Sequence, residues 1–292
     1  MKRLFLTLIL LLASIAASAE VRVVATVPNM GMLAETVGGD AVQVTVLAPP
    51  DRDAHYLEAR PSMMAALRRA DLVVAVGAEL EVGWLPAALQ GAHNPSVQVG
   101  RQGYFEGAAQ IDLIQVGLAA DRAHGDVHPA GNPHYYFDPI RMGEVAEALA
   151  ERLADFAPDH ADRFRANARE FAEQAAEHVE RWQGMSEGAP GVVFYHKDVD
   201  YLAGLLNIEI LGYIEPLPGI PPTARHLSEL VNSLRGEEGV ILYSDFQPSR
   251  GPEFVSRELG WSQQQLPNQV EIGADSEAYF DLINRWVEAF NP

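Results

Sequence analysis

VRVVATVPNMGMLAETVGGDAVQVTVL, residues 21–47, decides the fold. Residues 21–27 and 42–47 are β-branched runs, and between them, around residues 30–37, the apolar residues recur at helical spacing. The stretch reads as strand, helix, strand. Outward from it the alternation continues: residues 61–69 (PSMMAALRR) predict a helix opening at a proline, and residues 72–76 an apolar strand ending at Gly77. Strands alternating with helices imply a parallel sheet covered on both faces.

The middle of the chain differs in character. Asp138-Pro139 has the form of an N-cap followed by proline in the first turn, with a helical pattern through Phe156. A second start at Pro158-Asp159 opens a helix from His160 to Trp182 without Gly or Pro, roughly 35 Å long at 1.5 Å per residue. That length can bridge two lobes, and its charges read as a solvated face. Beyond a loop at 184–191 the alternation resumes with strands at 191–195, 208–213 and 240–243. Helices are expected at 199–206, from the EPLPGIPP loop (215–222) to about Arg235, at 253–259 and at 277–290. The expected fold class is α/β, with two lobes, each a small parallel sheet flanked by helices, joined by a long backbone helix. No short-period repeat is evident.

Composition narrows the chemistry. The 292 residues are 48% hydrophobic, enough to build real cores and to exclude disorder of the whole. With no cysteine there is no disulfide, thiolate zinc site, cysteine nucleophile or lipidated N-terminal cysteine, so any metal must be held by His and carboxylates. A net charge of −19 repels phosphate backbones and argues against nucleic acid as a partner. Lys2 and Arg3, the apolar run 4–13 and the small-x-small Ala17-Ser18-Ala19 have the form of a signal peptide at 1–19, cleaved near Ala19 so that the mature chain begins near Glu20.

Among nine histidines, three stand out. His55 follows the strand ending at Leu47, His134 precedes the helix start at Asp138, and His196 follows the strand GVVFY. In parallel sheets ligands gather beyond the carboxyl ends of strands, where loops converge. Neutral imidazoles are favoured zinc ligands, and three leave a fourth position for a carboxylate or water. Asp245, after the strand ILYS, has the place of a fourth ligand or of a group orienting an imidazole, with a turn or capping role equally open. His124 and His128, in AHGDVHPAGNP (123–133), either collect ions and pass them inward or simply belong to a polar loop. His93, His160, His178 and His226 lie in a turn or on helices.

At these residues the sequence resembles the zinc/manganese periplasmic solute-binding proteins of ABC importers (cluster A-I, zinc-uptake-like), a group that includes the lipoprotein adhesins. The resemblance lies in VGGDAVQVTVLAPPDRDAHYLEARPS with His55, ADLVVAVGAELEVGWL, NPHYYFDP with His134, VVFYHKDVDYLAGLLNIEI with His196 and the C-terminal SEAYFDLINRWVEAF, in family order. It implies an N-terminal metal-binding lobe at 20–138, a helical segment with the linking helix at 139–187 and a C-terminal metal-binding lobe at 188–292. It also implies His55, His134 and His196 as metal ligands in the cleft, and the three histidines resemble the zinc-preferring branch. The family's late aspartate motif appears here as Leu266-Pro267-Asn268-Gln269, without a carboxylate. Asp245, Asp275 or water are then the options for the fourth ligand.

The expected function is a periplasmic binding component that captures a divalent transition metal, Zn2+ or alternatively Mn2+, and delivers it to an inner-membrane ABC permease. The protein is expected to be a monomer and not an enzyme. A secreted zinc hydrolase is the competing class, but the sequence has neither H-E-x-x-H nor G-x-S-x-G. Protons compete for each imidazole, so affinity is expected to fall as pH drops through about 6.5.

Overall fold

The computed structural model describes residues 20–117, 128–217 and 219–291. The expected signal peptide and His124 lie outside the described residues. The first sheet is built from β1 (Val21–Ala25), β2 (Val42–Val46), β3 (Leu72–Ala75) and β4 (Tyr104–Glu106), all parallel, in the order β2-β1-β3-β4. Its crossovers are α1 (Pro28–Gly38), α2 (Pro61–Arg69) and α3 (Leu85–Ala92). Proline opens α1 with its φ already set, and Met30, Leu33, Ala34 and Val37 bury one stripe of it. At Gly31 a Cβ would come within 2.6 Å of Val46 Cγ2, so only glycine lets this helix lie so close on β2.

The second sheet repeats the pattern. It contains β5 (Gly191–Phe194), β6 (Ile210–Tyr213), β7 (Gly239–Ser244) and β8 (Gln263–Leu266), all parallel, in the order β6-β5-β7-β8. Its helices are α6 (Asp200–Leu205), α7 (Ala224–Ser233) and α8 (Arg250–Leu259), and the labels α4 (Pro139–Phe156), α5 (Ala161–Met185) and α9 (Ser276–Phe290) complete the described helices. Strand for strand, the two sheets share one topology, a duplication without a visible sequence repeat.

The expected cap is present: Asp138 accepts hydrogen bonds from the Ile140 and Arg141 amides at the start of α4. The long helix α5 has 25 residues and buries Phe164, Ala168, Phe171, Ala175, Val179 and Trp182 along one stripe, leaving its charges to solvent. It packs on α4, α1 and α9. One continuous apolar core runs from Val23 and Ala25 of β1 through Phe171 and Trp182 of α5 to Val192 and Phe194 of β5 and Trp286 of α9. Satellite cores lie on the outer faces of the two sheets. The structure adds three elements that the sequence pattern does not announce: α3, the three-residue edge strand β4 and the polar edge strand β8.

Polar contacts also tie the two sheets' segments together. Asn29 in α1 receives the Val270 amide on its Oδ1 at 3.0 Å, gives its Nδ2 to the Asn268 carbonyl at 3.3 Å, and offers its own amide to Gln269 Oε1 at 3.0 Å. Asn132 Nδ2 donates to the Lys197 carbonyl, while the Tyr201 hydroxyl donates to the Asn132 carbonyl. All of these surround the place where the carboxyl ends of the two sheets meet.

Candidate metal site

Three imidazoles converge at that meeting place. His55 lies in a one-turn helix at Ala54–Tyr56 after β2, His134 precedes another at Tyr135–Phe137, and His196 is two residues past β5. One ligand nitrogen from each lies within 4.8 Å of the other two, and the ring centres are 5.2 to 5.7 Å apart. For imidazoles sharing one tetrahedral ion at about 2.05 Å, ring centres should be about 5 Å apart.

Each ring is turned the same way, its Nδ1 held from behind and its Nε2 facing inward. His55 Nδ1 is 2.7 Å from Asp53 Oδ1, and His196 Nδ1 is 3.0 Å from Glu215 Oε2. Both carboxylates accept only, so both Nδ1 atoms carry the proton. His134 Nδ1 lies 2.8 Å from the Tyr136 hydroxyl, which gives its single proton to Asn268 Oδ1 at 3.3 Å. The hydroxyl is therefore an acceptor toward His134, and the lone pair of His134 sits on Nε2. That Nε2 is buried and has no hydrogen-bond partner. A buried acceptor left open is costly unless something positive reaches it, which is the requirement of a metal ligand.

The electrostatics separate the rings. Burial, reinforced by His55, His196 and His128, holds His134 well below the ordinary histidine value, so it is neutral and ready to ligate. Burial also pulls on His196, but the hydrogen bond and charge of Glu215 and the nearby Asp198 and Asp53 outweigh it and push it up to about 9. The single threshold near 6.5 expected from the sequence thus splits: His196 must shed a proton as an ion enters, whereas His134 need not. Burial pushes Asp53 up, yet the His55 charge and hydrogen bonds leave it net below its usual range.

Asp245 is not brought into this group. It sits exposed after β7, where desolvation raises its carboxyl and Asp51 adds to the effect, and its backbone carbonyl accepts from Gln265 Nε2. Asp275 caps α9, accepting from the Ala278 amide. Neither carboxylate belongs to the group of three nitrogens that lie within 4.8 Å of one another. Asn268, in the stretch Leu266-Pro267-Asn268-Gln269, donates Nδ2 to Asp198 Oδ2 at 3.2 Å and to Ser244 Oγ at 3.0 Å. An aspartate there would set a second carboxyl against the buried Asp198, whose own carboxyl burial already pushes up; the amide avoids that pairing. His128 stands beside the triad, its Nε2 3.1 Å from His55 Nε2. The cavity beside His55 and His134, also lined by Tyr136, Asn268 and Gln269, measures about 10 Å³, room for one water-sized species.

Two like α/β halves with a nitrogen-lined pocket where they meet have the form of a two-lobed ion-binding protein. The family model described as "Zinc-uptake complex component A periplasmic" matches residues 23–291, and the chain belongs to that family. It is similar to the high-affinity zinc uptake system protein ZnuA of Yersinia pestis, 25% identical over 274 residues, which cover 85% of this chain and 83% of that one. Among solved structures, a crystal structure of ZnuA aligns with TM-score 0.77 at 22% identity, covering 93% of this chain and all of the other. The Pseudomonas aeruginosa protein FpvC, solved in complex with Mn2+, aligns with TM-score 0.79 at 21% identity, covering 92% and 96%. At these identities the two structures speak for the fold, which is the expected two-lobe α/β architecture.

Proposed function

We propose that this protein captures Zn2+ in the periplasm through His55, His134 and His196 and hands it to an ABC permease in the inner membrane, acting as a monomer. The observation that carries the reading is the buried Nε2 of His134 without a partner, facing two further imidazoles whose Nδ1 atoms are fixed by carboxylates. Zinc suits an all-imidazole triad; manganese prefers oxygen donors. The zinc-uptake relative supports the same cargo, while FpvC with Mn2+ makes manganese the competitor to test. The acidic surface concentrates cations around the cleft. A hydrolase would need a general base in the pocket, yet Asp53 and Glu215 both stand behind imidazoles, and the relatives are metal-binding transport components.

His55→Ala, His134→Ala and His196→Ala should each weaken zinc by at least about two orders of magnitude with the fold intact. Calorimetric titration with zinc and with manganese checks this. Wild-type affinity in all three variants would reject the assignment.

A further inference from the structure

The stretch ADLVVAVGAELEVGWL (70–85) supplies no imidazole to the site, yet its second half is built with unusual care. In the loop between β3 and α3, Gly77, Ala78 and Glu79 have φ of 88°, 46° and 68°, a left-handed run that side-chain-bearing residues rarely adopt in succession. Such a backbone persists only where its surroundings over-determine it. Here the buried carboxylate of Glu81 accepts from the Val76 amide at 2.8 Å, the Gly77 amide at 3.1 Å and the Thr26 hydroxyl at 2.6 Å. Glu106 Oε1 accepts from the Ala78 amide at 3.1 Å. Thr26 follows β1 and Glu106 ends β4, the two strands that flank β3, so the loop is fastened to the sheet on both sides.

What this loop presents at its far end is the buried Trp84, whose amide donates to the Glu81 carbonyl at 3.1 Å. The indole Nε1–H donates to the Ala54 carbonyl at 2.8 Å. Gly83 lies against the same turn: a Cβ there would stand 3.2 Å from the His55 carbonyl oxygen. Ala54 and His55 open the one-turn helix that carries one of the three converging imidazoles. Asp53 holds the His55 ring and amide, but it belongs to the turn itself and moves with it. The indole N–H ties that turn to the first sheet.

We propose that Trp84 is a positioning residue of the metal site: presented by the loop that Glu81 moulds, its indole N–H sets the His55 turn at the distance from His134 and His196 at which three imidazoles share one ion. The proposal rests on the triad reading and adds to it a residue that touches neither the ion nor an imidazole. Groups that orient a metal ligand from behind are worth about ten- to a hundredfold in metal affinity.

Trp84→Phe keeps an aromatic ring in the core and removes the donor. Zinc titrated calorimetrically into the full chain, with this substitution made in the wild type and in His55→Ala, forms a double-mutant cycle. Zinc should weaken by about ten- to a hundredfold where His55 is present and by less than about twofold where it is absent. A merely structural role predicts otherwise: the unfolding midpoint falls in both backgrounds, and zinc affinity changes in both alike or in neither. Should Trp84→Phe not fold, Gly83→Ala enters the same cycle under the same criteria, since Gly83 has no positive φ and its new Cβ would press on the His55 carbonyl. Wild-type affinity with His55 present, or an equal loss in both backgrounds, overturns this proposal; if His55→Ala alone loses zinc, the triad still stands. Wild-type affinity in His55→Ala overturns both.

Discussion

Tyr136 touches His134 from the side away from the other imidazoles, and its hydroxyl decides which ring nitrogen bears the lone pair. Tyr136→Phe keeps the aromatic packing and removes that control, so zinc affinity should drop by roughly ten- to a hundredfold with little change in stability. A titration that returns wild-type affinity would show the ring is held by other means. His55 and His196 were legible because loops after parallel strands are where ligands gather, and His134 because it stands in a loop just before the helix start at Asp138. Two of the three groups behind them were equally within reach: Asp53 is two residues before His55, and Tyr136 two after His134. Glu215 is 19 residues from His196, but Phe194 pairs with Tyr213 in the sheet, and two steps beyond each partner stand His196 and Glu215. Only the strand pairing brings them together, and neither local pattern nor spacing announces it. For Asp245 the end of a strand is the right neighbourhood, but the choice between ligand and turn depends on a side-chain direction that sequence does not carry.

At the scale of elements, Asp200 opens α6 and fastens it to two others. Its Oδ2 accepts from Gln115 Nε2 at 2.6 Å and from the Tyr213 hydroxyl at 2.9 Å, while its Oδ1 is buried without a partner. Burial pushes this carboxyl from 3.8 up to about 6, against the pull of those hydrogen bonds and of Lys197. Because the folded value lies above the unfolded one, its contribution to stability is complete below about pH 4 and is lost as pH rises through about 6. Asp200→Asn can still accept both hydrogen bonds and never ionises. The variant should therefore exceed the wild type in stability at pH 7.5, by on the order of 3 kcal/mol, and match it near pH 4. Urea denaturation at the two pH values measures this, and an equal difference at both would contradict it. The elements themselves were read best where β-branched runs or proline-started periodicity marked them, as in β1, β2, α2 and α4. The strand β8 is QQQL, an edge whose membership rests on backbone pairing with β7 rather than on any apolar alternation.

For the molecule as a whole, Asn29 ties the seam between the halves with three hydrogen bonds. Asn29→Ala strands the Val270 amide and the Asn268 carbonyl in the interior, each at about 1–3 kcal/mol, so the chain should lose roughly 2–6 kcal/mol. Chemical denaturation followed by tryptophan emission would register it, and a loss under about 1 kcal/mol would mean that water takes over the orphaned groups. The two-lobe architecture was legible from the alternation of strands and helices, and the identical strand order of the halves was not, because it resides in pairing rather than in residue similarity. The core that runs unbroken from β1 through α5 to β5 has one last consequence. Such an interior melts as a single block, so whatever energy an ion contributes where the sheets meet is felt from one end of the chain to the other. Saturating cargo at a thousand times its Kd should lift the entire melting curve by the equivalent of about 4 kcal/mol, and a simple thermal scan becomes a gauge of occupancy.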